Sequence, residues 1–548
     1  MRIMRLVLAG AVLVLTLGVV VQTALGVRSS SKGVSASKEV SAADRVVVDY
    51  YESWAIYANS YRPAAVDFRK MTHVNYAFAK IEDGVVVFAD PGADPQNFAA
   101  FSSLRAKYPH LKVLISIGGW SLSKGFSTAA LTQASREKFA RSAADFMQRY
   151  GLDGIDIDWE YPVCCGDAET PLVTTEYNPA VDKHNFTLLL QELRKQLDIK
   201  GANDSKYYLL TAALAASGEQ MAKSYEVPEI AKVLDWANLM TYDFHGGWEN
   251  VSNHNAPLYD NPADPSIAAQ WTADATVKRY LAAGLPAEKT VMGIPFYGRA
   301  WDNCPATNNG LFQTCSGKSG DGTFVDQDKN AAGVFHNWDL IMRFVNKNGF
   351  KRYWDDVAKV PYLYNPGTYT WTKFGGGSAS STGTFISYED AQSVAIKAQY
   401  IKDQGLKGAM AWTVATDKGT GSTPIRSGPL TTTLGDALLP ASITQAGAKP
   451  KVKLAGTLAG SVGPGSTITL KRSGKVVKTL KAGTYKITVR DRSSIHNFHL
   501  FGPGHVNKKT KVGFKGTVVW TVKFKKGSYT YRCDIHFKSG MIRHFKVK

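Results

Sequence analysis

Asp156, Asp158 and Glu160 occupy alternate positions in DGIDIDWEYP, residues 153–162, with Ile157 and Trp159 set between them and Ile155 ahead of them. Period-two alternation is the pattern of a β-strand, whose successive side chains face opposite ways. The three carboxyls therefore share one face, and the apolar side chains share the other. Ionised carboxylates lined up away from water would be heavily penalised. Hydrogen bonding and proton sharing along the row relieve that penalty and leave one acid with a raised pKa. Glu160, last in the row, is the acid poised to release a proton, which is general acid chemistry. A solvated acidic edge or a calcium loop explains the stretch less well. Ile and Trp interleave with the acids, and no glycine-turned run of oxygen ligands is present.

A row of this kind needs a strand that is buried on both faces. The runs RVVVDYY, HVNYAFAKI, KVLISIGG, GIDIDWEY, YYLLTAAL, WANLMTYD, TVMGIPFY and KGAMAWTV recur between amphipathic helical stretches. Eight strands with helical crossovers predict an α/β fold, a (β/α)8 TIM barrel over residues 46–425. In such a barrel the acids point inward, and Glu160 lies at the C-terminal mouth where barrel active sites are built. The stretch 300–385 is too long for a loop and predicts a small inserted α+β subdomain.

A chain of 548 residues exceeds one ordinary domain, and 44% hydrophobic content is enough to build cores. At the N-terminus Arg2 and Arg5 precede an uncharged run from Leu6 to Val27, the order of a secretory signal. The run is also long enough to span a bilayer. Residues 1–27 are therefore read as a signal peptide or an N-terminal anchor, and the protein as secreted, touching a membrane only if that segment stays uncleaved. Residues 28–45, rich in Ser, Ala and Lys without apolar period, make a flexible spacer. Five cysteines suit an oxidising compartment, where Cys304 and Cys315 can close a short loop and Cys164 adjoins Cys165.

The net charge of +19 lies wholly at the C-terminal end. Residues 446–548 hold 23 Lys and Arg against Asp491 and Asp534, whereas the first 445 residues hold 42 basic and 44 acidic groups. This shift marks 426–450 as a linker and 451–548 as a second domain. In that domain, stretches such as TYKITVRD and TVVWTVKF alternate apolar and polar residues between glycine turns, which predicts a separate all-β sandwich. Its charge goes beyond a need for solubility and points to an anionic cell-wall polymer or acidic polysaccharide as partner. Nucleic acid is not expected: no binding motif for it is present, and export separates the chain from it.

DGIDIDWEYP resembles the DxxDxDxE signature of the family 18 glycoside hydrolases. SIGGW at 116–120, LMTYDFHG at 239–246, GIPFYGRAW at 293–301 and AMAWTV at 409–414 are similar to other motifs of that family, in the same order. The resemblance implies substrate-assisted, retaining hydrolysis of β-1,4-linked N-acetylglucosamine, as in chitin, with no cofactor. Carried over motif by motif, it implies that Glu160 protonates the leaving oxygen and that Asp158 orients the 2-acetamido group. Asp156 would hold Asp158, and Tyr242 would bond the acetamido carbonyl. It further implies that Tyr50, Trp54, Phe78, Trp120, Met240, Asp243, Tyr297, Arg299 and Trp412 line the substrate groove, with core packing an equal reading for Phe78 and Met240. An endo-β-N-acetylglucosaminidase acting on glycoprotein glycans would share these motifs, and so would a chitin-binding lectin, although a lectin has no need of Glu160.

A second resemblance lies near the C-terminus. SSIHNFHL at 493–500 and YRCDIHFKSGM at 531–541 place His496 upstream of Cys533-x2-His536-x4-Met541. The pattern resembles the metal loop of the cupredoxins, and it implies copper held by His496, Cys533, His536 and Met541. His499, an odd number of residues from His496, faces the other side of its strand and stays outside the set.

Overall fold

The computed structural model describes residues 40–41, 43–58, 60–164, 178–316, 322–324, 333–419, 428–444, 454–504 and 506–548. The expected signal or anchor over 1–27, the spacer up to residue 39, and Cys165 lie outside them. The chain divides into two compact units, the second made of Asp67–Thr72, Ala99–Leu111 and Pro440–Lys548.

In the first unit the eight expected strands are all present. They are β1 Val46–Glu52, β2 His73–Glu82, β3 Lys112–Gly118, β4 Gly154–Asp158, β5 Leu209–Leu214, β6 Trp236–Leu239, β7 Thr290–Pro295 and, after the insertion, Gly408–Trp412. Each pairs in parallel with its neighbours, and β1 closes the ring by pairing with both β2 and Gly408–Trp412. Strands covered on both faces read as continuous apolar runs, which is why β1 is buried at every position. Val48, Tyr50, Ala77, Ala213, Val291 and Met410 fill the barrel interior. Trp159 points the other way, stacking on Phe126 at 5.3 Å and meeting Phe186 edge-on at 5.9 Å under the surrounding helices. The opposite sense of Trp159 confirms that the acids of β4 face inward.

The insertion is a five-stranded antiparallel sheet whose first strand, Tyr297–Trp301, begins two residues after β7 ends. Its strand Ser378–Ser387 pairs back onto that first strand, with Trp301 opposite Phe385. A disulfide joins Cys304 to Cys315. The sequence boundaries of 300–385 were therefore slightly narrow, because β7 runs almost directly into the insertion. The expected linker at 426–450 needs correction. Pro429–Leu438 is a helix that buries Leu430, Leu434 and Leu438, and Asp417 accepts from the Thr431 backbone N–H at 2.8 Å and from its hydroxyl at 3.0 Å. The apolar side chains recur every four residues, a helical spacing obscured by the Thr and Gly between them.

The C-terminal unit contains two five-stranded sheets. The first carries Leu454–Val462, Ile468–Arg472, Lys475–Val476, Gly483–Asp491 and Gly516–Phe524, and the second carries Thr479–Leu480, His499–Gly502, Val506–Lys509, Gly527–Arg532 and Ile542–Val547. Inward side chains of both, among them Ile487, Val489, Phe524, Tyr531 and Phe545, form one core. The expected all-β sandwich is present. Among the described residues, no helix is long and apolar enough to cross a membrane.

Candidate active site and candidate metal centre

The acidic row lies inside the barrel, and its three members have different surroundings. Asp156 is fully buried and receives four donors from four other strands. Tyr50 and Ser116 hydroxyls donate to one oxygen at 2.7 and 2.8 Å, and the Thr211 hydroxyl and Asn238 amide donate to the other at 2.5 and 3.2 Å. Burial pushes its carboxyl upward, and these four donors oppose the push. Asp158 is also buried, but its Oδ1 has no partner among the described residues. Burial first, then the neighbouring Glu160 and Asp156, raise it well above the usual carboxylate range. Asp158 thus differs from its neighbour in kind: its charged form is disfavoured by burial and by two nearby carboxyls, whereas that of Asp156 is supported by four donors.

Glu160 sits where the row reaches the mouth, half-buried. Loss of water around it, followed by the charge of Asp243, lifts its pKa to about 7. Its backbone is held from β3's loop: the Glu160 N–H donates to the Ser123 hydroxyl at 2.9 Å, and that hydroxyl reaches the Gly119 carbonyl at 2.9 Å. Gly119 N–H in turn donates to the Asp158 carbonyl at 2.7 Å. The chain segment that carries Asp158 and Glu160 is thus tied to the SIGGW loop on both sides of Trp159. A partly exposed acid with a pKa near neutrality, on a fixed backbone, can both donate and recover a proton.

Around this row the structure sorts the expected groove residues into two groups. Trp54 and Trp120 are exposed rings at the mouth, each 42% accessible. Trp412 is half-buried, with Tyr50 at 5.2 Å and Phe78 stacked at 5.7 Å. Arg299 donates to Asp243 at 2.8 Å on the same rim. Tyr242 is part-buried, its hydroxyl 3.7 Å from the Met410 sulfur and its ring edge-on to Tyr297 at 6.3 Å. Tyr50, Phe78, Met240 and Tyr297, by contrast, are buried. Phe78 and Met240 belong to the interior cluster, against which Tyr242 and Trp412 also pack, and Phe78 lies between the rings of Trp412 and Trp54, at 5.7 and 6.3 Å. Tyr50 touches Asp156 rather than the open groove.

Sequence reasoning missed four participants. Ser116, Thr211 and Asn238 hold Asp156; Ser116 lay inside the SIGGW motif, whereas Thr211 and Asn238 lay in runs quoted only as strands. Trp248 is 55% exposed with the Arg299 guanidinium 5.0 Å from its ring centroid, which extends the aromatic rim. Its position two residues beyond LMTYDFHG was the available clue.

In the C-terminal unit, His496, Cys533 and His536 come together. The two Nδ1 atoms are 2.9 Å apart, and each lies 3.7 Å from Cys533 Sγ. The centre of that triangle is about 2 Å from each atom, the length of a bond from a transition metal to nitrogen or sulfur. Among the described residues this is the one group of three or more His, Cys, Asp or Glu that could hold a metal ion, and Cys533 is the one free cysteine. Asn497 joins the two loops, accepting from the Asp534 N–H at 2.7 Å and donating to the Asp534 carboxylate at 3.1 Å. Met541 is buried, and its carbonyl accepts from Cys533 N–H at 3.0 Å, closing the loop between them. His499 bonds Asp534 at 2.8 Å and Asn507 at 2.8 Å and takes no part in the triangle, as its strand position required.

The signature of the Glycosyl hydrolases family 18 matches residues 46–417. Chitinase A1 of Niallia circulans is 41% identical over 421 residues, which is 68% of this chain and 56% of that protein. This chain therefore spans little more than half the length of that relative. Among solved structures, chitinase ChiA74 from Bacillus thuringiensis superposes with a TM-score of 0.65 at 34% identity, over 89% of this chain and 82% of that one. A family 18 N-acetylglucosaminidase from Paenibacillus barengoltzii gives a TM-score of 0.58 at 34% identity, over 72% of this chain and 99% of that one.

Proposed function

Because the chain belongs to the glycosyl hydrolases of family 18, we propose that it is a secreted chitinase that cleaves β-1,4 linkages between N-acetylglucosamine units by a substrate-assisted, retaining route. The observation that carries this reading is the graded acidic row, with Asp156 held by four donors, Asp158 buried with an unpartnered oxygen, and Glu160 near neutrality at the mouth. In this reading Glu160 gives its proton to the glycosidic oxygen as the bond breaks. The carbonyl oxygen of the substrate's own 2-acetamido group attacks the anomeric carbon, and Asp158 accepts a hydrogen bond from the acetamido N–H. The Tyr242 hydroxyl donates to the acetamido carbonyl. Glu160 then takes a proton from the water that opens the cyclic intermediate, and two inversions leave the configuration unchanged.

The rim supports a polymer. Trp54, Trp120, Trp248 and Trp412 present ring faces suited to the apolar faces of sugars, and Asp243 with Arg299 offers polar contacts between them. The deciding measurement is an NMR time course on chitin oligomers, in which the β-anomer of the new reducing end is expected first. Early α-anomer would refute the route. Release from glycoprotein glycans without release from chitin oligomers would favour the endo-β-N-acetylglucosaminidase reading.

The C-terminal sandwich supports a second reading, that of a cupredoxin-like module. His496, His536 and Cys533 would hold copper, with Met541 as a weak fourth ligand, and the metal would supply one-electron chemistry. The donor set fits: two imidazoles and one thiol converge, and Asn497 fixes both loops. Addition of Cu(II) is expected to produce an intense visible band from the thiolate, and Cys533→Ser is expected to abolish it while the sandwich keeps its unfolding transition. A colourless copper titration would end this reading. The charge of the same module supports its attachment to an anionic polymer outside the cell, independently of copper.

A further inference from the structure

The attachment reading concerns a whole domain, and the strand register narrows it to one surface. In the first sheet of the sandwich, Tyr485, Ile487 and Val489 face the core, so Thr484, Lys486, Thr488 and Arg490 face outward. Register extends this face across the sheet. Lys486 lies opposite Thr457 on one side and Thr521 on the other, and Arg490 opposite Ser461 and Thr517. Lys523 lies opposite Thr484, and Lys471 opposite Ala459. Four cations thus share this face with small or hydroxyl-bearing side chains and with the exposed Val519 opposite Thr488, and none of the four faces another directly, an arrangement that limits mutual repulsion.

None of the four forms an ion pair among the described residues, and all are exposed. The domain's two acids are engaged elsewhere: Asp491 is buried and accepts from the Thr510 hydroxyl at 2.6 Å, and Asp534 is bound by His499 and Arg532. From strand geometry, Lys486 and Arg490 are about 13 Å apart, and Lys523 lies about 7 Å from Lys486 on the diagonal. A small anion cannot reach all of them, whereas a linear polymer laid along Gly483–Asp491 meets Lys523, Lys486 and Arg490 in turn.

We propose that this outer sheet face is the docking surface for a linear acidic polysaccharide with repeated carboxylates, of the polyuronate class. The proposal rests on the attachment reading and adds its location and ligand chemistry. The cations match the carboxylates, and the interleaved Thr and Ser hydroxyls match sugar hydroxyls, which a polyphosphate chain lacks. Three of the four cations are lysines, point charges that tolerate sliding along a polymer better than the fixed fork of arginine.

The test measures binding of the full chain to polygalacturonate at low salt for three proteins. These are the unaltered chain, a face variant with Lys471, Lys486, Arg490 and Lys523 changed to Gln, and a control with Lys478, Lys508, Lys509 and Lys546 changed to Gln. All eight side chains are exposed, so both variants are expected to fold. The face variant is expected to bind about tenfold or more weakly, the control within about twofold, since the same net charge is removed from each. Equal loss in both would overturn the assigned face while leaving attachment intact. No binding by the unaltered chain would overturn attachment itself. Equal affinity for inorganic polyphosphate would overturn the polyuronate assignment.

Discussion

Glu160→Gln is expected to lower hydrolysis of chitin oligomers by about 10²- to 10⁴-fold while leaving oligomer binding in place, because the amide keeps the shape of the acid and has no proton to transfer. The same substitution has a signature in stability. The folded-state pKa of Glu160, about 7, lies above its ordinary 4.5. Its contribution to stability is therefore complete below pH ~4.5 and is lost as pH rises through 7, where the native state must carry a poorly hydrated carboxylate. A glutamine carries no charge at any of these values. The variant should consequently gain stability relative to the parent between pH 5 and 8, as thermal unfolding at several pH values would show. In the parent, activity should fall on the alkaline side with a midpoint near 7 as the acid loses its proton. A variant that keeps more than a few per cent of activity would remove Glu160 from the role of acid.

The second large effect is expected at Asp158. Asp158→Asn should reduce turnover by about 10²-fold or more, because an amide oxygen still accepts from the acetamido N–H but cannot ionise to strengthen that bond as positive charge develops, and the alignment on which intramolecular attack depends is weakened. Oligomer affinity should change far less, since the aromatic rim is untouched. The contrast with Asp156 is informative. Asp156 is held by four donors, so its removal would leave buried hydroxyls and an amide without partners and would cost folding stability as well as rate. Asp158→Asn, with one buried oxygen already unpartnered, should unfold close to the parent temperature. A variant at Asp158 that fails only because it is unfolded would count against its role in orienting the substrate.

Much of this site was legible before any coordinates. The alternation in DGIDIDWEYP put the three acids on one face, and the structure places Asp156 and Asp158 inside the barrel with Trp159 outside it. The order of the eight strands was equally plain, since each is an apolar run bounded by turns. The helix Pro429–Leu438 was hidden because Thr and Gly dilute its apolar repeat. Phe78 and Met240 were ambiguous for another reason: a large apolar side chain at a strand end serves a groove or a core equally well, and only its depth decides.

Neighbouring residues carry what one strand can express: the period-two row of acids, the apolar faces that bury it, the concentration of positive charge after residue 445, and the period that faces Lys486 and Arg490 outward from the sandwich core. These are local properties, written in neighbouring residues and read through the geometry of a single strand. Which residues meet is set by the packing of the whole fold. Tyr50, Ser116, Thr211 and Asn238 surround Asp156 from four different strands, and His496 reaches Cys533 and His536 across 37 and 40 residues of chain. Such meetings depend on barrel closure, strand register and sheet pairing. Many sequence separations are compatible with each of these, so nothing in the local pattern specifies the partner.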